Sequence, residues 1–108
     1  FMNTQFKKGV LKLIVLLAVS KKDMYGYELV LEVSKFVDVN DGTIYPLLKR
    51  LTNDKYFETY LVDSTEGPAR KYYKITVLGK ERVKELKQNW TTFVSGVDKF
   101  IKECTKDE

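Results

Sequence analysis

Two short segments carry most of the side chains that could bind a ligand. The first covers residues 42–51 and reads GTIYPLLKRL, and the second covers residues 67–76 and reads GPARKYYKIT. Together they supply hydroxyl groups and positively charged Lys and Arg side chains. These groups can donate hydrogen bonds to phosphate oxygens and to the edges of DNA bases. This pattern favours recognition of a nucleic acid over any bond-making chemistry.

The rest of the composition argues against catalysis. The chain has no His and a single Cys, Cys104, so it lacks the usual general base, the commonest transition-metal ligand and any intrachain disulfide. No dinucleotide-binding, P-loop or nucleophile-elbow motif occurs, and no acidic cluster has calcium-loop spacing. Cys104 is interpreted as an incidental thiol. The sequence therefore predicts neither an enzyme nor a cofactor or metal.

Length and charge set broad limits on the fold. The chain has 108 residues, 44% of them hydrophobic and 31% charged, with a formal net charge of +4, which is typical of one folded domain. The charge allows a polyanionic partner without requiring one. The most apolar run, residues 10–19, includes Lys12 and is too short to span a bilayer. We expect a cytoplasmic protein whose natural start is Met2.

Three helices are predicted before the second basic segment. Apolar spacing indicates a largely buried helix over about 5–20 and a second over about 25–36. The apolar face of the second helix should contain Tyr25, Leu29, Val33 and Phe36. A turn cluster at 40–43 precedes a third helix over about 42–54.

The third helix divides into a core side and an exposed side. The turn cluster at 40–43 offers several candidate N-caps, Asp41 among them, and Pro46 is placed in the opening turn, where a missing N–H costs little. The side expected to face the core is apolar and consists of Leu47, Leu48 and Leu51.

A β-hairpin and one long helix complete the chain. Residues 56–62 and 70–75 are rich in aromatic and β-branched side chains and flank a polar turn. Alternation along the second strand should place Arg70, Tyr72 and Lys74 on one face and Lys71 and Tyr73 on the other. Thr76 is the predicted N-cap of a helix over about 77–104.

The order of three helices, a hairpin and a further helix predicts a mainly α, α+β fold, the winged helix-turn-helix. Residues 2–76 would form the DNA-binding part and residues 77–108 a dimerisation helix, within one structural domain. The third helix would enter the major groove. The candidate DNA-binding residues are Thr43, Tyr45, Lys49, Arg50, Arg70, Lys71 and Lys74.

Several of these assignments have alternatives. Tyr45 could instead pack into the core, and one of the wing tyrosines, Tyr72 or Tyr73, should pack there too. Lys49 and Arg50 could belong to a solvated helix face. Since neighbours on a helix lie about 100° apart, only one of these two can point squarely at DNA.

The long helix carries the clearest periodicity in the chain, with apolar residues at alternating steps of three and four. A helix of about 28 residues is roughly 42 Å long, which the small preceding core cannot cover. We therefore expect a second copy of the chain to cover it. The predicted dimer interface comprises Val83, Leu86, Trp90, Phe93, Val97, Phe100 and Ile101.

Three stretches in this order resemble the PadR family of bacterial transcriptional regulators, in its subgroup with a short C-terminal helix. They are residues 24–29 (MYGYEL), residues 42–51 and residues 67–76 with Gly79. The resemblance covers roughly residues 9–100. It implies a homodimeric winged-helix repressor that binds a roughly palindromic operator, with Tyr45, Lys49, Arg70 and Lys71 at or near DNA.

The resemblance also implies a ligand site. Family members often control detoxification, multidrug transport or phenolic-acid metabolism, and in short members a Trp at the position of Trp90 can stack on flat aromatic compounds. Trp90 and Phe93 are thus candidate effector-binding residues, with plain interface packing as the alternative for Trp90. Tyr56 and Phe57 depart from the family pattern, which often has a Gly turning into the first strand.

A different class of function is also open from the sequence. A winged helix can hold another protein without sequence-specific DNA binding. That alternative predicts a wing and third helix without exposed positive charge, whereas this sequence places positive charges there, on Lys49, Arg50, Arg70, Lys71 and Lys74.

Overall fold

The computed structural model describes the backbone from residue 4 and the side chains from residue 9 to residue 108. Its elements, in chain order, are α1 (Thr4–Lys21), β1 (Met24–Tyr25), α2 (Gly26–Ser34), α3 (Asp41–Asn53), β2 (Phe57–Val62), β3 (Arg70–Ile75) and α4 (Val77–Thr105). This is a mainly α, α+β winged helix-turn-helix, as predicted. We call residues 57–75, which comprise β2, β3 and their turn, the wing.

The core forms where α1, α2 and α3 meet the inner side of the sheet. It is built from aliphatic side chains of all three helices, joined by residues of the strands and the start of α4. Its most enclosed members are Val15, Leu16, Leu29, Ile44, Leu48 and Leu51, each 0% exposed. The described residues include no buried polar or charged side chain, so apolar burial holds the three helices together.

The predicted second helix needs two corrections. Tyr25 lies in the short strand β1 and not in the helix, because its backbone is extended (φ −90°, ψ 164°) and pairs with Tyr72. At the other end the helix stops at Ser34, so Phe36 leaves the predicted apolar face and is 79% exposed. Leu29 and Val33 are buried as expected.

The start of the third helix also differs from the prediction. Asn40, and not Asp41, is the N-cap: its Oδ1 accepts a hydrogen bond from the backbone N–H of Thr43 at 3.2 Å. Because the helix begins at Asp41, Pro46 is its sixth residue and lies beyond the opening turn. Its missing N–H therefore leaves the carbonyl of Gly42 without its usual helical donor.

The hairpin of the prediction is part of a three-stranded antiparallel sheet in the order β1-β3-β2. The two-residue β1 was not predicted, because two residues show no alternation. Met24, Phe57 and Ile75 are buried, which identifies the inner face of the sheet. We call the opposite side the outer face; by the strand register it contains Tyr25, Glu58, Tyr60, Val62, Arg70, Tyr72 and Lys74.

Helix α4 leaves the core as it proceeds. Thr76 caps it as predicted, since its Oγ1 accepts a hydrogen bond from the N–H of Gly79 at 3.0 Å. Gly79 and Val83 are buried and Leu86 packs against the core. The next residues of the predicted interface are exposed, including Phe93 at 62% and Phe100 at 71%. The helix accounts for the elongated shape, 62 × 29 × 20 Å.

Candidate nucleic-acid interface

Helix α3 presents one polar side to solvent. Ile44, Leu47, Leu48 and Leu51 are buried, whereas Thr43, Tyr45, Lys49 and Arg50 are exposed. The three leucines thus face the core as predicted. Anchoring one side of the helix fixes the direction of the other, which is the arrangement that a recognition helix requires.

A groove joins this side of α3 to the wing. It has a volume of about 460 Å³ and is open to solvent. Its lining combines two lysines with hydroxyl and amide groups from both elements: Lys49, Thr52, Asn53, Thr59, Lys71 and Tyr73. No carboxylate is among these lining residues, so the groove has the charge and the hydrogen-bonding groups that suit a phosphate.

Four of the groove residues, Thr52, Asn53, Thr59 and Tyr73, were not predicted as site residues. Thr59 lies directly opposite Tyr73 in the antiparallel register of β2 and β3. The pairing of Thr59 with Tyr73 depends on the strand register, which the sequence pattern does not give. Alternation along β3 does place Tyr73 on the same face as Lys71, so Tyr73 could have been predicted. Tyr73 also packs against the core, and burial raises its pKa. Of Tyr72 and Tyr73, it is the one that packs inward, as the sequence predicted for one of the pair.

The outer face of the sheet holds the other two basic residues of the wing. The Arg70 guanidinium lies over the ring of Tyr25, 4.6 Å from its centroid, in a cation–π contact. Lys74 lies directly opposite Glu58 in the strand register, so its charge is partly offset. The structure therefore separates the seven predicted DNA-binding residues, since Arg70 and Lys74 do not share the groove of Lys49 and Lys71.

Three tyrosines support the outer face. The rings of Tyr60 and Tyr72 stack with centroids 5.5 Å apart, and Tyr25 meets Tyr72 at 5.4 Å. The Tyr60 hydroxyl donates a hydrogen bond to Oδ2 of Asp23 at 2.7 Å, and this bond raises the pKa of Tyr60. These contacts fasten the wing to the segment between α1 and α2.

Tyr45 neither enters the core nor stands free. It is 41% exposed, and its ring lies against the bare backbone of Gly26 at the start of α2. Burial, followed by the nearby Asp41 carboxylate, raises its pKa. The side chain thus bridges the second and third helices while part of it faces solvent.

A second candidate site lies along α4. Trp90, 36% exposed, lines an open groove of about 400 Å³ together with Thr91, Val94, Ser95, Asp98, Lys99 and Lys102. Phe93, the other predicted effector residue, is not part of this lining. Phe93 lies on the side of α4 that also bears Val97 and Phe100.

No helix among the described residues is both long and apolar enough to cross a membrane. In the same part of the chain, no three Asp, Glu or Cys side chains come together as a possible metal site.

The fold and this surface define a winged helix-turn-helix DNA-binding protein. The model of the PadR-like family of transcriptional regulators matches residues 15–85. The chain belongs to that family and is a transcriptional regulator, not an enzyme.

Similar proteins cover nearly the whole chain. A PadR-like transcriptional regulator from Bacillus cereus is 41% identical, with a TM-score of 0.81 over 91% of this chain and 97% of that one. A transcriptional regulator from Streptococcus is 37% identical, with a TM-score of 0.81 over 91% and 98%. An uncharacterised protein of Lysinibacillus sphaericus is 35% identical over 87% of this chain and 90% of its own length.

Proposed function

We propose that this regulator is a homodimeric repressor that binds a roughly palindromic operator through α3 and the wing. The observation that carries the proposal is the groove in which Lys49 of α3 and Lys71 of the wing meet without a carboxylate. Two lysines from different elements can bracket one stretch of phosphate backbone. This contact would hold the N-terminal part of α3 in the major groove.

The remaining residues have distinct roles in this proposal. Thr43 and the exposed part of the Tyr45 ring, near the start of α3, reach the bases, and Arg50 contacts a flanking phosphate. Arg70 and Lys74 extend the positive surface from the outer face of the wing. Their contribution is smaller than that of Lys71, because Arg70 is held over Tyr25 and Lys74 lies opposite Glu58.

Dimerisation is supported by the exposed apolar residues of α4. Trp90, Phe93, Val97, Phe100 and Ile101 are all at least 36% exposed, and a contiguous apolar surface of this kind marks an interaction site. Val83 and Leu86, which the sequence also assigned to the interface, pack in their own core. The proposed interface therefore begins at Trp90, and a two-fold axis across it matches a palindromic operator.

The groove beside Trp90 is the proposed effector site. Its indole ring offers a flat apolar surface on which a planar aromatic compound could stack, and Asp98, Lys99 and Lys102 place charges of both signs beside it. The compound would bind at the edge of the proposed dimer interface, since Trp90 belongs both to the interface and to the groove, and it would weaken operator binding. Phe93 contributes from the dimer-facing side and not from the groove.

The test is a fluorescence-anisotropy titration of duplex DNA from the region upstream of the protein's own gene, at several salt concentrations. We expect specific, salt-sensitive binding that exceeds binding to shuffled DNA. Lys71→Ala should weaken binding to both duplexes about equally and lower the salt slope by about one, the value for one lost phosphate contact. Lys84→Ala, an exposed lysine of α4, is the matched control and should bind like the parent.

Two results would contradict the proposal. Equal affinity for upstream and shuffled DNA, followed by failure to select any sequence from a random library, would favour a winged helix that binds a protein. Unchanged binding by Lys71→Ala would remove the groove from the interface.

The effector is tested with the intrinsic fluorescence of Trp90, the one Trp in the chain. Planar aromatic compounds should quench its emission and lower affinity for the upstream duplex over the same concentration range. Unchanged emission and DNA affinity across a broad panel of such compounds would remove this part of the proposal.

A further inference from the structure

The ring of Tyr45 in α3 lies against the backbone of Gly26 at the start of α2. A Cβ atom built on Gly26 would overlap Cε1 of the Tyr45 ring and lie 3.0 Å from its Cζ and Oη atoms. Heavy atoms do not pack closer than about 3.5–4.0 Å without loss of energy. With any other residue at position 26, the ring would therefore have to leave this position.

This junction lies on the exposed side of α3. Gly26 is the first residue of α2, and Tyr45 is one turn before Lys49 on the exposed side of α3. Leu47 and Leu48 fix the buried side of α3 through the core. The Tyr45 ring on Gly26 adds a contact on the exposed side, so that the helix is held from two directions.

Other tyrosines lie around this contact. Tyr25 and Tyr27, on either side of Gly26, help to raise the pKa of Tyr45, and Tyr45 helps to raise the pKa of Tyr73 in the wing groove. Among the described residues its hydroxyl has no hydrogen-bond partner within the chain. The ring is thus the part of Tyr45 that the fold uses.

We propose that Gly26 and Tyr45 form a positioning pair, in which the ring seated on the bare glycine backbone sets the angle of α3 and so determines sequence preference. The inference rests on the proposed DNA-binding function and deepens it. It assigns a role to Gly26, which does not face the groove, and it assigns the role of Tyr45 to its ring and not to its hydroxyl.

The experiment measures the ratio of affinities for two duplexes. One is a duplex that the parent protein selects from a random library, and the other contains the same bases shuffled. Gly26→Ala should lower this ratio about fivefold or more, the size of one lost base contact, with an unchanged salt slope because the phosphate contacts remain. Gly9→Ala is the matched control, since a Cβ there meets nothing within 4 Å.

Variants of Tyr45 separate the ring from the hydroxyl. Tyr45→Phe keeps the ring and should retain the ratio within about twofold, whereas Tyr45→Ala removes the ring and should lower the ratio as Gly26→Ala does. A hydroxyl–base contact would instead be lost in both Tyr45 variants. The double variant should be no worse than Tyr45→Ala alone, because two changes that break one contact are not additive. If Gly26→Ala alone fails to fold, the double variant, which removes the colliding ring, should regain the parent's thermal transition.

The outcomes are distinct. A parent protein that selects no sequence overturns the proposed function and this inference with it. A selective parent whose preference survives Gly26→Ala, or is lost in Tyr45→Phe, overturns the positioning pair alone. The positioning pair is also overturned if the double variant loses the affinity ratio by the sum of the two single effects, or if the double variant stays unfolded.

Discussion

Helix α3 and the distal part of α4, residues 90–105, are both amphipathic, yet their apolar residues end in different surroundings. In α3, Ile44, Leu48 and Leu51 are each 0% exposed. In the distal part of α4, Phe93 and Phe100 are 62% and 71% exposed. The apolar side of α3 is covered by its own chain, whereas the apolar side of the distal part of α4 is left exposed.

The difference follows from length and from neighbours. α3 has 13 residues and is enclosed by α2 and β2, whereas α4 has 29 residues and extends past every other element. Fully burying a large apolar side chain stabilises a structure by about 1.5–3 kcal/mol. α3 gains this within the chain, which frees its polar side for a ligand, while the distal part of α4 gains it only when another surface covers it.

The largest effect on stability should come from truncating a buried side chain of α3. Leu48→Ala should lower the free energy of unfolding by about 2–5 kcal/mol, because it leaves a cavity where the side chain was fully enclosed. Urea denaturation followed by circular dichroism measures this, and the midpoint should fall at low and high protein concentration alike. A loss below about 1 kcal/mol would show that α3 is less firmly anchored than its burial indicates.

The matching change in the distal part of α4 is Phe100→Ser. Phe100 occurs twice in a two-fold interface, so we expect the Kd of the dimer to rise at least about tenfold, with the helical content of the protomer preserved. Sedimentation equilibrium measures the constant. Lys102→Ser, on the opposite side of the helix, is the control. Equal association of both variants would place the interface elsewhere.

Two glycines of α4 differ in how closely their surroundings are packed, one in the proximal and one in the distal part of the helix. A Cβ on Gly79 would overlap the carbonyl oxygen of Tyr56 and lie 2.7 Å from Cγ1 of Ile75, while one on Gly96 would meet nothing within 4 Å. Gly79→Ala should therefore cost about 1–3 kcal/mol. Gly96→Ala should stabilise by about 0.5–1 kcal/mol.

Both glycine variants are measured by urea denaturation on the Phe100→Ser background, so that a partner chain does not enter the comparison. The two changes should have opposite signs. Similar effects at the two positions would mean that the proximal part of α4 is not closely packed after all.

The turn after α3 offers a smaller test. Lys55 has a φ of 70°, in the left-handed region that favours glycine. Lys55→Gly should raise the free energy of unfolding by about 0.5–1 kcal/mol, since relief of strain exceeds the added flexibility of the unfolded chain. Lys35→Gly, at a residue with φ −65°, should lower it. If both substitutions destabilise the protein, the turn is not strained.

The smallest effect concerns the tyrosine that fastens the wing. The bond to Asp23 raises the pKa of Tyr60 above its ordinary value of 10.0. A raised pKa means that the folded state holds the proton more tightly, so the contribution is complete below pH 10 and is lost as pH rises through the folded pKa. Between pH 9 and 11 the parent should lose more stability than Tyr60→Phe, as urea midpoints at each pH would show. Parallel losses would contradict this role.

Much of the fold was predictable because its signals are local. The apolar spacing of Leu47, Leu48 and Leu51 marks the buried side of α3, and strand alternation correctly separates Lys71 from Arg70. Local patterns did not give β1 or the end of α2 at Ser34, and they did not single out Asn40 among the candidate caps, because these depend on pairing and backbone angles. The turn before β2 has its positive φ at Lys55, next to Tyr56 and Phe57, where the sequence departs from the family pattern.

The sequence by itself determined the order of the elements, the positive charge of α3 and the wing, and the surplus length of α4, since each is a property of residue types and their spacing. Only the tertiary structure decided which charges share a surface. It brings Lys49 and Lys71 to one groove, turns Arg70 and Lys74 away, and seats Tyr45 on Gly26. The physical reason is that these contacts join residues far apart in the chain, and their geometry exists only once the helices and the sheet have packed.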